Sequence, residues 1–193
     1  MESRLKVSNF YQSVTPQQLI KLPTLIQGFF LPNAIYLVSE GEPSAIHKYS
    51  FESQGAIVTI PLPSHIGKNP KIKAIVEASN HTVCFIMEGE EGLWIFRSNK
   101  LSEVQTHLAP LTALAVHGSR IYTGSKDMTV RLWKVAQEGV IPDSQRHALF
   151  GHKGQVNCFQ GTAALMLSGS SDKFIIVWEG YNLRSQKGLE SNV

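Results

Sequence analysis

Two groups of side chains in this sequence have the types needed for nucleophilic or acid–base chemistry. His107, Thr123 and Asp127 form one, and His152, Ser168 and Asp172 form the other. An imidazole held between a carboxylate and a hydroxyl can take the hydroxyl proton and so create a nucleophile. The spacing argues against that use. Each member of the second group lies 45 residues after its counterpart in the first, and Trp178 lies 45 after Trp133. A catalytic triad needs one exposed nucleophile beside one base, whereas a duplicate at a fixed period belongs to a repeated scaffold. No Gly-x-Ser-x-Gly elbow and no His-Glu-x-x-His motif occurs. Cys158 with His152 makes a single pair, too few for a metal site. The expectation is therefore no catalytic residue, no metal ligand and no cofactor.

The stretches that carry these residues read as strands. "SRIYTGS" (119–125) and "ALMLSGS" (164–170) each run into a turn, at "SKDM" or "SSDK", and then into "TVRLW" or "FIIVW". Branched and aromatic residues around a polar turn predict strand, turn, strand. A paired-helix repeat would need apolar residues three and four apart over ten or more positions, and fewer Gly and β-branched residues. A period near 45 with this pattern predicts four-stranded sheets in an all-β, blade-like array.

Two weaker copies precede the clear ones. Residues 71–98 give three strands with turns at "ASNH" and "GEEG", and residues 25–51 do the same with turns at "LPN" and "EGEPS". Phe96 and Tyr49 stand where the other copies have Trp, and the turn Asp and the preceding His are missing. The expected divisions are a lead-in at 1–24, blades at 25–55, 71–106, 107–148 and 149–182, and a polar tail at 183–193. A short helix is expected over 13–21, with Thr15 as N-cap, Pro16 at the first helical position and Gln18 closing a capping box. Residues 136–144 read as a long loop before an outer strand in "QRHALF".

Composition narrows the class. Of 193 residues, 42% are hydrophobic and 17% charged, enough apolar content for a core, and the net charge is +3. The basic cluster Lys68, Lys71, Lys73 reads as a solvated loop rather than a nucleic-acid patch. No apolar run approaches the length that spans a bilayer, and the N-terminus lacks an apolar signal core. Cys84 and Cys158 both sit in apolar runs, where a buried free thiol is expected, and the compartment expected is intracellular, cytoplasm or nucleus. Asn80 fits a glycosylation sequon that such a compartment would leave unused.

Residues 107–178 resemble two consecutive repeats of the WD-repeat β-propeller family, carried by "THLAPL...TGSKDMTVRLW" and "GHKGQV...SGSSDKFIIVW". The resemblance implies hydrogen-bonded tetrads within blades, here His107, Thr123, Asp127, Trp133 and His152, Ser168, Asp172, Trp178. It also implies a protein-interaction scaffold whose upper-face contacts would map to Pro110, Thr112, Lys126, Gln155, Asn157 and Ser171. Family members most often have seven blades. Four copies therefore imply either an unusually small closed ring or, as the favoured reading, part of a ring completed by further sequence, by self-association or by another chain. Partners are expected to be other proteins, with no membrane insertion. The rival readings are a nucleic-acid binder using the basic loops and, behind it, a propeller enzyme.

Overall fold

The computed structural model describes residues 4–7, 18–21, 24–51, 57–78, 82–117, 120–136, 139–140, 147–161 and 165–179. Strands β1 (Arg4–Val7) and β2 (Gln18–Lys21) pair antiparallel. The helix expected over 13–21 is therefore replaced by strand at 18–21, where cross-strand pairing overrides a weak capping signal. Its proposed cap, Thr15 with Pro16, lies outside the described residues, as do Asn80 and the tail 183–193.

Four antiparallel sheets follow in chain order. The first blade contains β3 (Leu25–Leu31), β4 (Ala34–Ser39), β5 (Ala45–Ser50) and β6 (Ile57–Pro61). The second contains β7 (Ile72–Ala78), β8 (Thr82–Met87), β9 (Gly92–Arg97) and β10 (Lys100–Gln105). In the third, β11 (Leu111–His117), β12 (Arg120–Ser125) and β13 (Val130–Ala136) are flanked by β15 (His147–Leu149), with a two-residue strand β14 (Gly139–Val140) folded back on the end of β13. The loop expected from 136 thus begins as a small hairpin. The fourth has three described strands, β16 (Val156–Gly161), β17 (Leu165–Ser170) and β18 (Ile175–Glu179). This is an all-β fold of β-propeller blades.

The first strands of successive blades lie side by side, β3 on β7, β7 on β11 and β11 on β16. Each has a register shift near its start, at Leu25/Gln27, Ile72/Ala74, Leu111/Ala113 and Val156/Cys158. A bulge leaves backbone groups without ladder partners, and side chains from the preceding blade take three of them. The Gln27 amide pairs with both backbone groups of Ile72, at 2.8 and 3.0 Å, and the Thr112 hydroxyl donates to the Val156 carbonyl. The two upstream blades share this device with the downstream pair.

The core is a set of inter-blade layers. Tyr36, Val38 and Ile46 face Ile75, Phe85 and Phe96; Cys84, Ile86 and Ile95 face Leu111, Ile121 and Trp133; Tyr122, Val130 and Leu132 face Val156, Met166 and Trp178. Alternation along each strand sends odd and even residues to opposite neighbours, so a blade's two faces are both apolar.

Candidate functional site

In the third blade, His107 enters from the turn before β11, Thr123 from β12, Trp133 from β13 and Asp127 from the turn between those two strands. His107 Nδ1 lies 2.9 Å from Asp127 Oδ2 and Nε2 lies 2.8 Å from Thr123 Oγ1. The Trp133 indole donates to the same hydroxyl at 2.9 Å. The carboxylate also accepts from the Leu108 and Thr129 amides, at 3.2 and 2.9 Å, and from the Thr129 hydroxyl at 2.7 Å. An ionised Asp127 requires a proton on Nδ1, which leaves Nε2 to accept from Thr123.

The fourth blade repeats the geometry. His152 Nδ1 is 2.9 Å from Asp172 Oδ2, Nε2 is 2.8 Å from Ser168 Oγ, and Trp178 Nε1 donates to Ser168 Oγ at 2.8 Å. The Lys153 and Phe174 amides donate to the Asp172 carboxylate at 2.8 and 2.9 Å.

Charge is held in place by these bonds. Burial alone would raise the Asp127 carboxyl, but donors from Thr129 and His107 outweigh it and hold the group below the usual range. Asp172, against the same opposition, is held down at about 2 by the Lys153 and Phe174 amides and by His152. Burial lowers His107, and the neighbouring Asp127 only partly offsets this.

The bond pattern inside each tetrad resembles that of an activated hydroxyl, but access is lacking. Thr123 and Ser168 are 0% exposed, and each hydroxyl already accepts an indole N–H. A substrate carbonyl would have no approach. Chemically the tetrads satisfy buried polar groups and tie the turn to two strands and to the segment that precedes the blade's first strand.

In the second blade aromatic rings fill the corresponding space, with Phe85 stacked on Trp94 at 6.1 Å and 9°. The first blade has a different polar chain, in which His47 lies 3.0 Å from Ser39 Oγ and 3.2 Å from Thr59 Oγ1. Burial lowers this imidazole. Glu77 joins the two upstream blades by taking Tyr36 Oη at 3.0 Å and Lys48 Nζ at 2.5 Å. Neither arrangement was legible in the sequence, because its members come from different strands with no fixed spacing.

Of the six residues assigned to the upper face, Lys126, Asn157 and Ser171 are exposed, and Pro110 and Gln155 are half-buried. The turns bring them together: Lys126 N donates to Pro110 O and Ser171 N to Gln155 O, both at 3.0 Å. Gln155, Asn157 and Ser171 are further linked through Asn157 Oδ1 at 2.8 Å and Ser171 Oγ at 2.9 Å. Thr112 does not belong with them. It is 5% exposed, buried by the fourth blade standing against it. Cys158 departs from expectation in the other direction. It is exposed, whereas Cys84 is buried and its thiol pushed up to about 12 by that burial. Cys158 sits on the face of the fourth blade that turns away from the third.

Comparison with known proteins adds the following. Residues 98–134 and 143–179 match the family model described as "WD domain, G-beta repeat". Over 88 residues the chain is 31% identical to "p21-activated protein kinase-interacting protein 1-like" of Gallus gallus, covering 45% of this chain and 22% of that protein. Over 74 residues it is 38% identical to the protein of the same name in Danio rerio, covering 37% and 18%. The chain thus spans about a fifth of the length of these relatives. Among solved structures, the computationally designed Ika4 protein superimposes with a TM-score of 0.57 at 17% identity, over 81% of this chain and 91% of that one. U3-55K does so with a TM-score of 0.55 at 17% identity, over 82% and 53%. These two likenesses concern the fold alone.

Proposed function

We propose that this chain, whose residues 98–134 and 143–179 match the WD-repeat family model, is a non-catalytic scaffold that binds other proteins through the loop face bearing Pro110, Lys126, Gln155, Asn157 and Ser171. The observation that carries this reading is the state of the tetrads. The residues able to do chemistry are enclosed and mutually satisfied, while neighbouring turns present polar side chains to solvent on rigid strands. The names of two relatives make p21-activated kinase the first partner to test. The compartment proposed is intracellular; among the described residues no helix is long and apolar enough to cross a membrane. The basic loop has less support as a nucleic-acid site, since Lys68 is 2.9 Å from Glu42 and Lys71 is 3.9 Å from Glu88.

The experiment is binding of purified p21-activated kinase to the chain and to its Lys126→Glu, Gln155→Ala variant. The expected result is affinity at least tenfold weaker in the variant with an unchanged melting temperature. No binding by the parent chain overturns the choice of kinase, and equal affinity overturns the choice of face. Self-association belongs to the same proposal. Ile175 and Val177 are 71% and 49% exposed, while their counterparts Val130 and Leu132 are 0% and 2% exposed against the next blade. Sedimentation across concentrations tests it, and a concentration-independent monomer is the contrary outcome.

A further inference from the structure

The second blade, which lacks a tetrad, has a cavity on the loop side of the sheet. It is open to solvent, with a volume of about 230 Å³ between the approach to β7 and the turn joining β8 to β9, and that turn is the counterpart of those carrying Lys126 and Ser171. Glu88, Glu90, Glu103, Trp94, His65 and Lys71 are among its lining residues. The volume lies below the roughly 300 Å³ at which pockets begin to take drug-sized ligands, so it suits a single side chain.

Three features give the cavity a chemical character. Lys71 lies 3.9 Å from Glu88, but among the described residues Glu90 and Glu103 have no ion pair or side-chain hydrogen bond. Trp94 is only 4% exposed and its indole Nε1 is buried with no hydrogen-bond partner, a donor that normally finds an acceptor when enclosed. Finally, Glu103 stands opposite Trp94 in the ladder between β9 and β10, and its carboxylate occupies the space over Gly92. A Cβ on Gly92 would fall 2.0 Å from Glu103 Oε1. The glycine leaves room for the exposed Glu103 carboxylate to lie over the sheet beside an aromatic ring.

From this combination we infer that the cavity binds an arginine side chain of a protein partner, with a peptide carbonyl of that partner accepting from Trp94. A guanidinium offers five donors in a plane, can serve two carboxylates at once and stacks on aromatic faces. His65 and Trp94 supply two such rings, 6.1 Å apart and inclined by 34°. A divalent cation is the poorer match, since no group of three or more His, Cys, Asp or Glu among the described residues is placed to hold one. The source of the arginine rests on the scaffold reading above, but the cavity can be probed without it.

The probe is the capped tripeptide acetyl-Gly-Arg-Gly-amide, followed through the indole N–H signals of the three tryptophans, with Trp94→Phe used to assign the relevant one. The expected result is a saturable shift of the Trp94 signal with the Trp133 signal unmoved. The matching Gln peptide should bind at least tenfold more weakly and the Lys peptide at least threefold more weakly. Glu90→Gln with Glu103→Gln should weaken arginine binding at least tenfold while leaving the Trp133 signal in place as a check on folding. A shift that does not saturate, that is equal for the Gln or Lys peptide, or that survives the double substitution overturns the inference. Loss of kinase binding with an intact Trp94 response would retire the scaffold's partner alone, and the reverse would retire the cavity alone.

Discussion

Thr112 and Asn157 occupy the same position at the bulge of successive first strands, yet Thr112 donates to the Val156 carbonyl of the next blade whereas Asn157 donates to Ser171 on the surface. A neighbouring sheet stands against the first position and not against the second. Thr112→Ala should therefore cost about 0.5–2 kcal/mol, by removing one hydrogen bond and stranding a buried carbonyl. Asn157→Ala should stay within about 0.5 kcal/mol, as surface substitutions do. Paired urea melts check the contrast, and equal costs would contradict it.

Gly124 and Gly169 form a second pair of equivalent positions. A Cβ at Gly124 would lie 2.7 Å from Val156 Cγ1 and 3.0 Å from Phe159 Cζ, packed atoms of the next blade. A Cβ at Gly169 would meet Cys158 Sγ at 2.8 Å, on an exposed side chain that can turn away. Gly124→Ala is expected to destabilise by about 1–3 kcal/mol through overpacking, and Gly169→Ala by clearly less in the same denaturant series.

Thr123→Val keeps the shape of the side chain and removes its hydroxyl. Trp133 Nε1 and His107 Nε2 both lose their partner in a place water does not reach. The cost should be about 1–3 kcal/mol for each stranded group. Thermal unfolding reads it, and a variant as stable as the parent would show that the tetrad contributes no net stability.

Acid should unfold this protein in two stages. Burial lowers His107, so the folded chain resists a proton that an unfolded imidazole takes near pH 6.5, and stability begins to fall below that value. Asp127 and Asp172 are also lowered. Their contribution is complete above about pH 4, where an unfolded aspartate ionises, and is lost as pH falls toward the value of about 2 at which Asp172 is protonated. Melting temperatures measured from neutral pH downward should decline below about 6.5 and more steeply below about 4. Asp172→Asn should flatten the second limb, and a melting temperature that rises on acidification would refute the assignment.

The two thiols should separate cleanly. Cys158 is exposed, while Cys84 is buried with its thiol raised to about 12, which leaves almost no thiolate at neutral pH. Maleimide should label one thiol per folded chain, removed by Cys158→Ser, and two after unfolding. Rapid labelling of Cys84 in the folded chain would refute its burial.

The repeat and the strand-turn-strand pattern could be read from sequence, because a covalent period of 45 residues brings His152, Ser168, Asp172 and Trp178 into the positions of His107, Thr123, Asp127 and Trp133, while the bonding within each set was implied only by the family resemblance. Alternating apolar residues in blades that stack in chain order left little freedom for another fold. What the tertiary structure alone decided was exposure and company. Thr112 is enclosed and Cys158 is not, although the family resemblance put the first on the upper face and an apolar run suggested burial of the second, because burial in a stacked array depends on whether another sheet stands against that face. Gln18–Lys21 became a strand by pairing with Arg4–Val7, a contact no local capping signal encodes. The cavity at Trp94 arose where a blade without a tetrad joins a loop from the blade before it to an acid across the ladder, a meeting of residues that have no common spacing and are brought together only by packing.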